Sequence, residues 1–247
     1  MRIFLFLAVF LANATYAAET IVSDLSQNQV SITANFEGSE IFIFGAVKRD
    51  SPPQEGAGEL NVVIEVSGPP AALTVHRKDR RFGIWVNTEA VTVDRAPSFY
   101  SIASTAPLLE ILSERERADR NLGLNFAVRA AAENEDFRQA VIRIKQDQGN
   151  YSTIETPVNL TEDTLFTTKV ALPANLVEGD YTATIYLVRG GEIISSSASV
   201  IEVRKAGLER WLYNLAHEKP LIYGLMSLLV ALVAGYGASE IFRLLRR

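Results

Sequence analysis

Cysteine is absent from all 247 residues, and histidine, methionine and tryptophan occur only twice each. Without Cys there is no disulfide framework, thiol nucleophile, Cys-ligated zinc, iron–sulfur cluster, c-type haem attachment or lipidated N-terminal Cys. His76 lies in a charged stretch and His217 close to the C-terminal apolar segment. No His pair therefore has metal-ligand spacing, and neither a metal nor a cofactor is expected. A Gly-x-Ser-x-Gly elbow, a P-loop and a glycine-rich dinucleotide turn are missing as well. Only a carboxylate pair among the 29 Asp and Glu residues remains as a catalytic option, so the expectation is a protein that is not an enzyme. Acids outnumber bases 29 to 24, and the whole of that excess falls on the middle of the chain. The chain carries −5, of which Arg2 contributes +1 and Glu240, Arg243, Arg246 and Arg247 together +2, leaving −8 on the middle. Such an acidic body argues against nucleic acid as a partner.

Long apolar runs occur only at the two termini. Met1-Arg2 followed by Ile3–Ala12 has the pattern of a secretory signal; the run is too short for about 30 Å of hydrocarbon. Small residues at Thr15 and Ala17 predict cleavage after Ala17, making 1–17 a signal peptide. Leu221–Ala238 holds no charge, has Tyr223 and Tyr236 near its ends, and is followed by three arginines. These features predict a transmembrane helix over 220–240 and a basic cytoplasmic tail over 241–247, with the body on the opposite side of the membrane. Gly224, Ser227, Ala231 and Gly235 fall near one side of that helix. Small residues allow close backbone approach in lipid, so this side is expected to associate with itself or with a partner helix.

The middle reads as mainly β. Glu19–Leu25, Gln29–Thr33 and Leu60–Val66 alternate, with Val62, Ile64 and Val66 inward and Asn61 and Glu65 outward, while Glu40–Val47 is apolar on both faces. Leu73–Val75 and Phe82–Val86 flank the charged stretch His76–Arg81 and read as a hairpin with that stretch as its turn. Turn signals recur at sandwich spacing. Helical periodicity then takes over in Pro107–Asp119 and Asn134–Gln148, where Phe137, Ala140, Val141 and Ile144 share a face. Strands return at Leu165–Leu172, Thr182–Val188 and Glu192–Val203. Gly179-Asp180-Tyr181 before a late strand has the setting of a tyrosine corner, with Ala183 where an immunoglobulin domain carries Cys. The predicted organisation is a β-sandwich lobe at 18–105, a helical connection at 106–148 and an immunoglobulin-like lobe at 149–204. A juxtamembrane helix at 205–219 follows, with Leu208, Trp211, Leu212 and Leu215 on one face; it reads either as an interfacial helix or as a linker packed on the body.

Arg77, Lys78, Arg80 and Arg81 form the strongest local charge feature. Guanidinium forks bind oxyanions bidentately, so an anion or lipid-headgroup contact is one reading and a solvated hairpin tip the other.

Several stretches together resemble a known family: Ala34–Glu40 leading into Ile41–Gly45, Gly83–Asn87, Leu165-Phe166 with Leu172-Pro173, Gly179-Asp180-Tyr181, and Lys205–Glu209 before Pro220–Gly224. They resemble the uncharacterised alphaproteobacterial transmembrane protein family over essentially the whole mature chain. The resemblance implies a bacterial inner-membrane protein with a periplasmic body and supplies no catalytic residues. It also implies a multi-pass, sulfite-exporter-type permease as a partner. The expected function is thus a non-catalytic, membrane-anchored accessory protein. The alternative is a periplasmic module that binds a small oxyanion for such a transporter.

Overall fold

The computed structural model describes residues 19–51, 56–128, 134–155 and 157–245. The expected signal peptide and the last two tail residues lie outside them. In chain order the first strands are β1 (Glu19–Leu25), β2 (Gln29–Ile32), β3 (Ser39–Arg49), β4 (Leu60–Ser67), β5 (Pro70–Arg81), β6 (Ile84–Pro97) and β7 (Tyr100–Ser104). Four helical segments follow: α1 (Leu108–Ile111), α2 (Glu114–Arg120), α3 (Leu124–Ala127) and α4 (Glu135–Asp147). Then come β8 (Tyr151–Glu155), β9 (Asn159–Thr161), β10 (Leu165–Leu172), β11 (Gly179–Arg189), β12 (Glu192–Lys205), α5 (Leu208–Glu218) and α6 (Pro220–Leu245).

Strict alternation makes β1 a half-buried strand over the residues expected. The helix expected from Pro107 divides in two because Leu112 adopts an extended backbone. Ser113 then caps α2, its hydroxyl accepting from the Glu116 N–H at 3.3 Å. Asn134 caps α4 in the same way through Asp136. Helix α4 buries Phe137, Val141 and Ile142; Ile144, expected on that face, is exposed.

Strand pairing corrects the two-lobe organisation. The protein is mainly β, but segments 18–105 and 149–204 share both of its larger sheets. One sheet runs β1-β3-β10-β9, and a six-stranded sheet runs β2-β12-β11-β4-β7-β8. Strand β3 pairs with β10 and β4 with β11, while β2 joins β12 and β8 joins β7 in parallel. Residues from both segments, including Ile41, Ile43, Ile64, Phe166, Ile185 and Leu187, make one core between the sheets. Neither segment could bury its apolar faces without the other.

The six-stranded sheet is covered on its outer face as well. There Val63, Tyr100, Ile102, Tyr186 and Val188 pack with Leu122, Phe137 and Val141 from the helical stretch and with Val75 and Val93 from β5 and β6. This second core revises β4: Val63 is as buried as its neighbours Val62 and Ile64, and Glu65 faces the helix-side core instead of open solvent.

Strands β5 and β6 form a two-stranded ribbon that continues β4 and β7. Ser67 pairs with Tyr100, the Gly68 N–H donates to the Phe99 carbonyl, and the Ser98 N–H donates to Pro69. Pro70 then pairs with Pro97 in unbroken register. The ribbon therefore leaves the sheet at its Ser67 end. Thr182 lies opposite both Ser67 and Val200, so β12 runs out towards α5 at that same end.

Candidate functional site

The basic residues lie on a strand, not in a turn. His76–Arg81 is the outer half of β5, and the chain reverses at Phe82-Gly83, whose φ angles of 51° and 87° define the tight turn between Arg81 and Ile84. A two-residue turn with both φ positive matches the strand twist and favours Asn-Gly. Glycine suits the second position, but phenylalanine is costly at the first.

The four cations do not converge. Arg77 donates to Asp136 on α4 at 2.9 Å and lies 3.3 Å from Glu89 across the ribbon. Its guanidinium also stacks over the Phe137 ring, 5.3 Å from the centroid. It is held by two carboxylates and docks the ribbon on α4. Lys78, Arg80 and Arg81 lie further out and are exposed. The pleat sets Lys78 and Arg80 on one side of the ribbon and Arg81 on the other. Opposite Arg80 stands Trp85, and opposite Arg81 stands Ile84. Phe82 is fully exposed, and Ile84 and Trp85 are about two-thirds exposed. The tip thus interleaves three cations with three large apolar side chains, a feature that charge counting alone missed.

Two acid clusters also escaped sequence reasoning. The Glu65 carboxylate accepts from the Tyr186 hydroxyl at 3.2 Å and from the Tyr100 hydroxyl. The Tyr100 oxygen in turn accepts from the Gly123 N–H at 2.8 Å. Burial raises the Glu65 pKa, and the two phenols offset only part of that effect. Burial and the neighbouring carboxylate push Tyr186 up to about 12 and Tyr100 well above the ordinary phenol range. The adjoining cleft, bordered by Arg95, Pro97 and Asn121, measures about 230 Å³. This falls below the roughly 300–1,000 Å³ typical of small-molecule sites. At the opposite end of the sandwich, Glu19 binds Arg49 at 2.7 Å and Arg189 at 2.9 Å. Burial alone would raise its pKa, but the two guanidiniums outweigh that and hold it below the ordinary range. Among the described residues no group of three His, Asp or Glu side chains could hold a metal ion.

The corner residue is where the sequence put it. Tyr181 is buried, and its hydroxyl donates to the Val177 carbonyl at 2.9 Å, four residues upstream.

Beyond the body, Leu212 and Leu215 of α5 are half-buried, and Trp211 and Tyr213 are more than half exposed. No described residue of α5 joins either core. Helix α6 contains a 20-residue apolar stretch, Pro220–Ser239, with mean hydropathy 1.9 and no residue buried. Gly224, Ser227, Ala231 and Gly235 lie within it. The Ser227 hydroxyl donates to the Gly224 carbonyl at 2.9 Å, and a Cβ added at Gly224 or Gly235 would meet nothing within 4 Å.

No curated protein matches this sequence. Among solved structures, the sporulation control protein Spo0M from Bacillus subtilis aligns at 10% identity with a TM-score of 0.27. That alignment covers 77% of this chain and 50% of the other. A family model described as "Putative transmembrane protein (Alph_Pro_TM)" matches residues 20–244. With the match running from the first strand to the end of the uncovered apolar helix, the chain belongs to this transmembrane protein family.

Proposed function

We propose that the protein is a membrane-anchored accessory protein of the inner membrane that works by contact rather than by catalysis. Its N-terminal body lies in the periplasm and its C-terminus in the cytoplasm, and a multi-pass permease is its partner. The observation that carries this reading is the uncovered Pro220–Ser239 helix. Twenty apolar residues span a bilayer and leave the body on one side of it, and the arginines at 243, 246 and 247 favour the cytoplasmic side for the tail. The oxyanion alternative has less support, because Arg77 is already neutralised by Asp136 and Glu89 and the pleat turns Arg81 to the other side of the ribbon from Lys78 and Arg80.

The test has two arms. A reporter active only outside the cytoplasm is expected to work when fused after Val203 and to fail when fused after Arg247; the reverse pair overturns the orientation. Capture of the tagged full chain from detergent-solubilised membranes is expected to bring down a multi-pass permease. Recovery of the chain alone would count against the accessory role.

A further inference from the structure

Phe82 is hard to explain by folding. It occupies a backbone position that Asn or Gly would fill with less strain, and its ring is fully exposed, with Ile84 and Trp85 largely exposed beside it. A residue that disagrees with local turn chemistry and packs on nothing is the kind of inconsistency found at functional sites. The surrounding charge narrows the function. The chain is acidic, with net charge −5, and its body would be repelled by an anionic surface. The ribbon tip instead offers Lys78, Arg80 and Arg81 with one exposed acid among them, Asp79, which accepts from the Thr88 hydroxyl at 2.8 Å.

Placement supplies the second argument. The ribbon and the segment that leads to the membrane helix leave the six-stranded sheet at the same end. From Pro70 to Arg81 the ribbon is 12 residues long, a reach of about 40 Å at strand rise. Its inner half is stiffened against α4 by Val75 and by the Arg77 contacts. Aromatic and long cationic side chains suit the headgroup boundary, where rings enter the acyl edge and charges meet phosphate.

From this we infer that the Phe82–Trp85 tip is a second membrane contact, seated in the headgroup region of an anionic bilayer, which ties the ribbon and the body it extends to the surface that α6 crosses. The inference rests on the anchored reading above and adds to it a lipid-binding site in the body.

The test uses the full chain reconstituted in phosphatidylcholine vesicles, with or without phosphatidylglycerol. Trp211→Phe leaves Trp85 as the single tryptophan. In anionic vesicles Trp85 emission is expected to be blue-shifted, quenched by lipids brominated near the headgroup, and shielded from acrylamide. Neutral vesicles, high salt or the triple change Lys78→Gln, Arg80→Gln, Arg81→Gln should each cut the lipid quenching several-fold, since each cation near an anionic surface is worth about a fivefold change in association. Phe82→Asn provides a second variant that preserves the turn. It should reduce lipid quenching without lowering the thermal midpoint. A Trp85 that is open to acrylamide and untouched by brominated lipid in anionic vesicles overturns the inference. So does shielding that requires a captured permease or rises with protein concentration alone, because a protein surface then covers the tip. None of these results bears on the reporter fusions, so the anchor stands or falls separately.

Discussion

The two cores on either side of the six-stranded sheet are closed by different chemistry. Between the sheets, Glu19 meets two guanidiniums that tie β1, β3 and β11 together, and the Tyr181 hydroxyl closes the corner. On the helix side, Glu65 meets two phenols beneath a cover of short helices and ribbon. A carboxylate facing fixed positive charge is best ionised. One enclosed beneath packed helices ionises less readily than in water, because burial outweighs the hydroxyls that donate to it. The same side-chain chemistry therefore contributes to stability with opposite dependence on pH in the two places.

Removing the charge from Glu19 breaks the first closure and should have the largest effect. Glu19→Gln leaves the partly buried Arg49 and Arg189 without their counter-charge, and the full chain in detergent should lose about 3 kcal/mol in denaturant unfolding at neutral pH, about 1.5 kcal/mol for each charged hydrogen bond. The wild-type contribution has the sign of a depressed carboxylate pKa. It is present above the unfolded pKa and lost as pH falls through the lower folded value. The variant should show no such loss, and a wild-type acid profile in Glu19→Gln would mean that the clamp does not operate.

Tyr181→Phe comes next. It strands the Val177 carbonyl and should cost about 1–3 kcal/mol. An unchanged denaturant midpoint would show that the corner bond adds nothing.

Glu65→Gln should move stability the other way. A carboxyl whose folded pKa is raised stays protonated in the folded chain at pH values where the unfolded chain has released its proton. Stability is therefore lost as pH rises from the unfolded pKa to the folded one. Gln keeps an acceptor for the phenols without the charge. The variant should be more stable than wild type above that window and close to it below. A variant destabilised at neutral pH would mean that the phenol hydrogen bonds to the ionised carboxylate outweigh its burial.

The smallest effect belongs to Arg77. Its ion pairs are largely exposed, and Arg77→Gln should cost no more than about 0.5 kcal/mol in the same unfolding assay. A larger loss would mean that the Arg77 contacts, and not Val75 and Val93 alone, hold the ribbon on the helix-side core.

Much of this architecture was legible in local pattern. Alternation located β1 to the residue, and a strand was expected over the whole of β10; the helical spacing of Phe137, Ala140 and Val141 located α4, and Gly179-Asp180-Tyr181 pointed to a hydroxyl that does bond back to the backbone. The basic residues were visible, but their arrangement was not. Charge count suggested a turn at 76–81, whereas the register places the turn at Phe82-Gly83 and spreads the cations along a strand. Glu65 read as outward because its neighbours alternate with it. It lies over a second core that residues 108–142 build from elsewhere in the chain.

The sequence by itself determined the features whose cause is local or solvent-facing: the period of each strand and helix, the caps, and an apolar segment long enough to cross a bilayer, which needs no partner from the rest of the chain to be recognised. Only the tertiary structure decided which strands pair. Backbone hydrogen bonding is the same for every candidate partner, and the choice between β3–β10 and two separate lobes depends on how apolar faces from distant segments fit together. The same packing decided the states of Glu19 and Glu65, because a carboxylate's preference for its charged form is set by the groups that folding brings within reach of it.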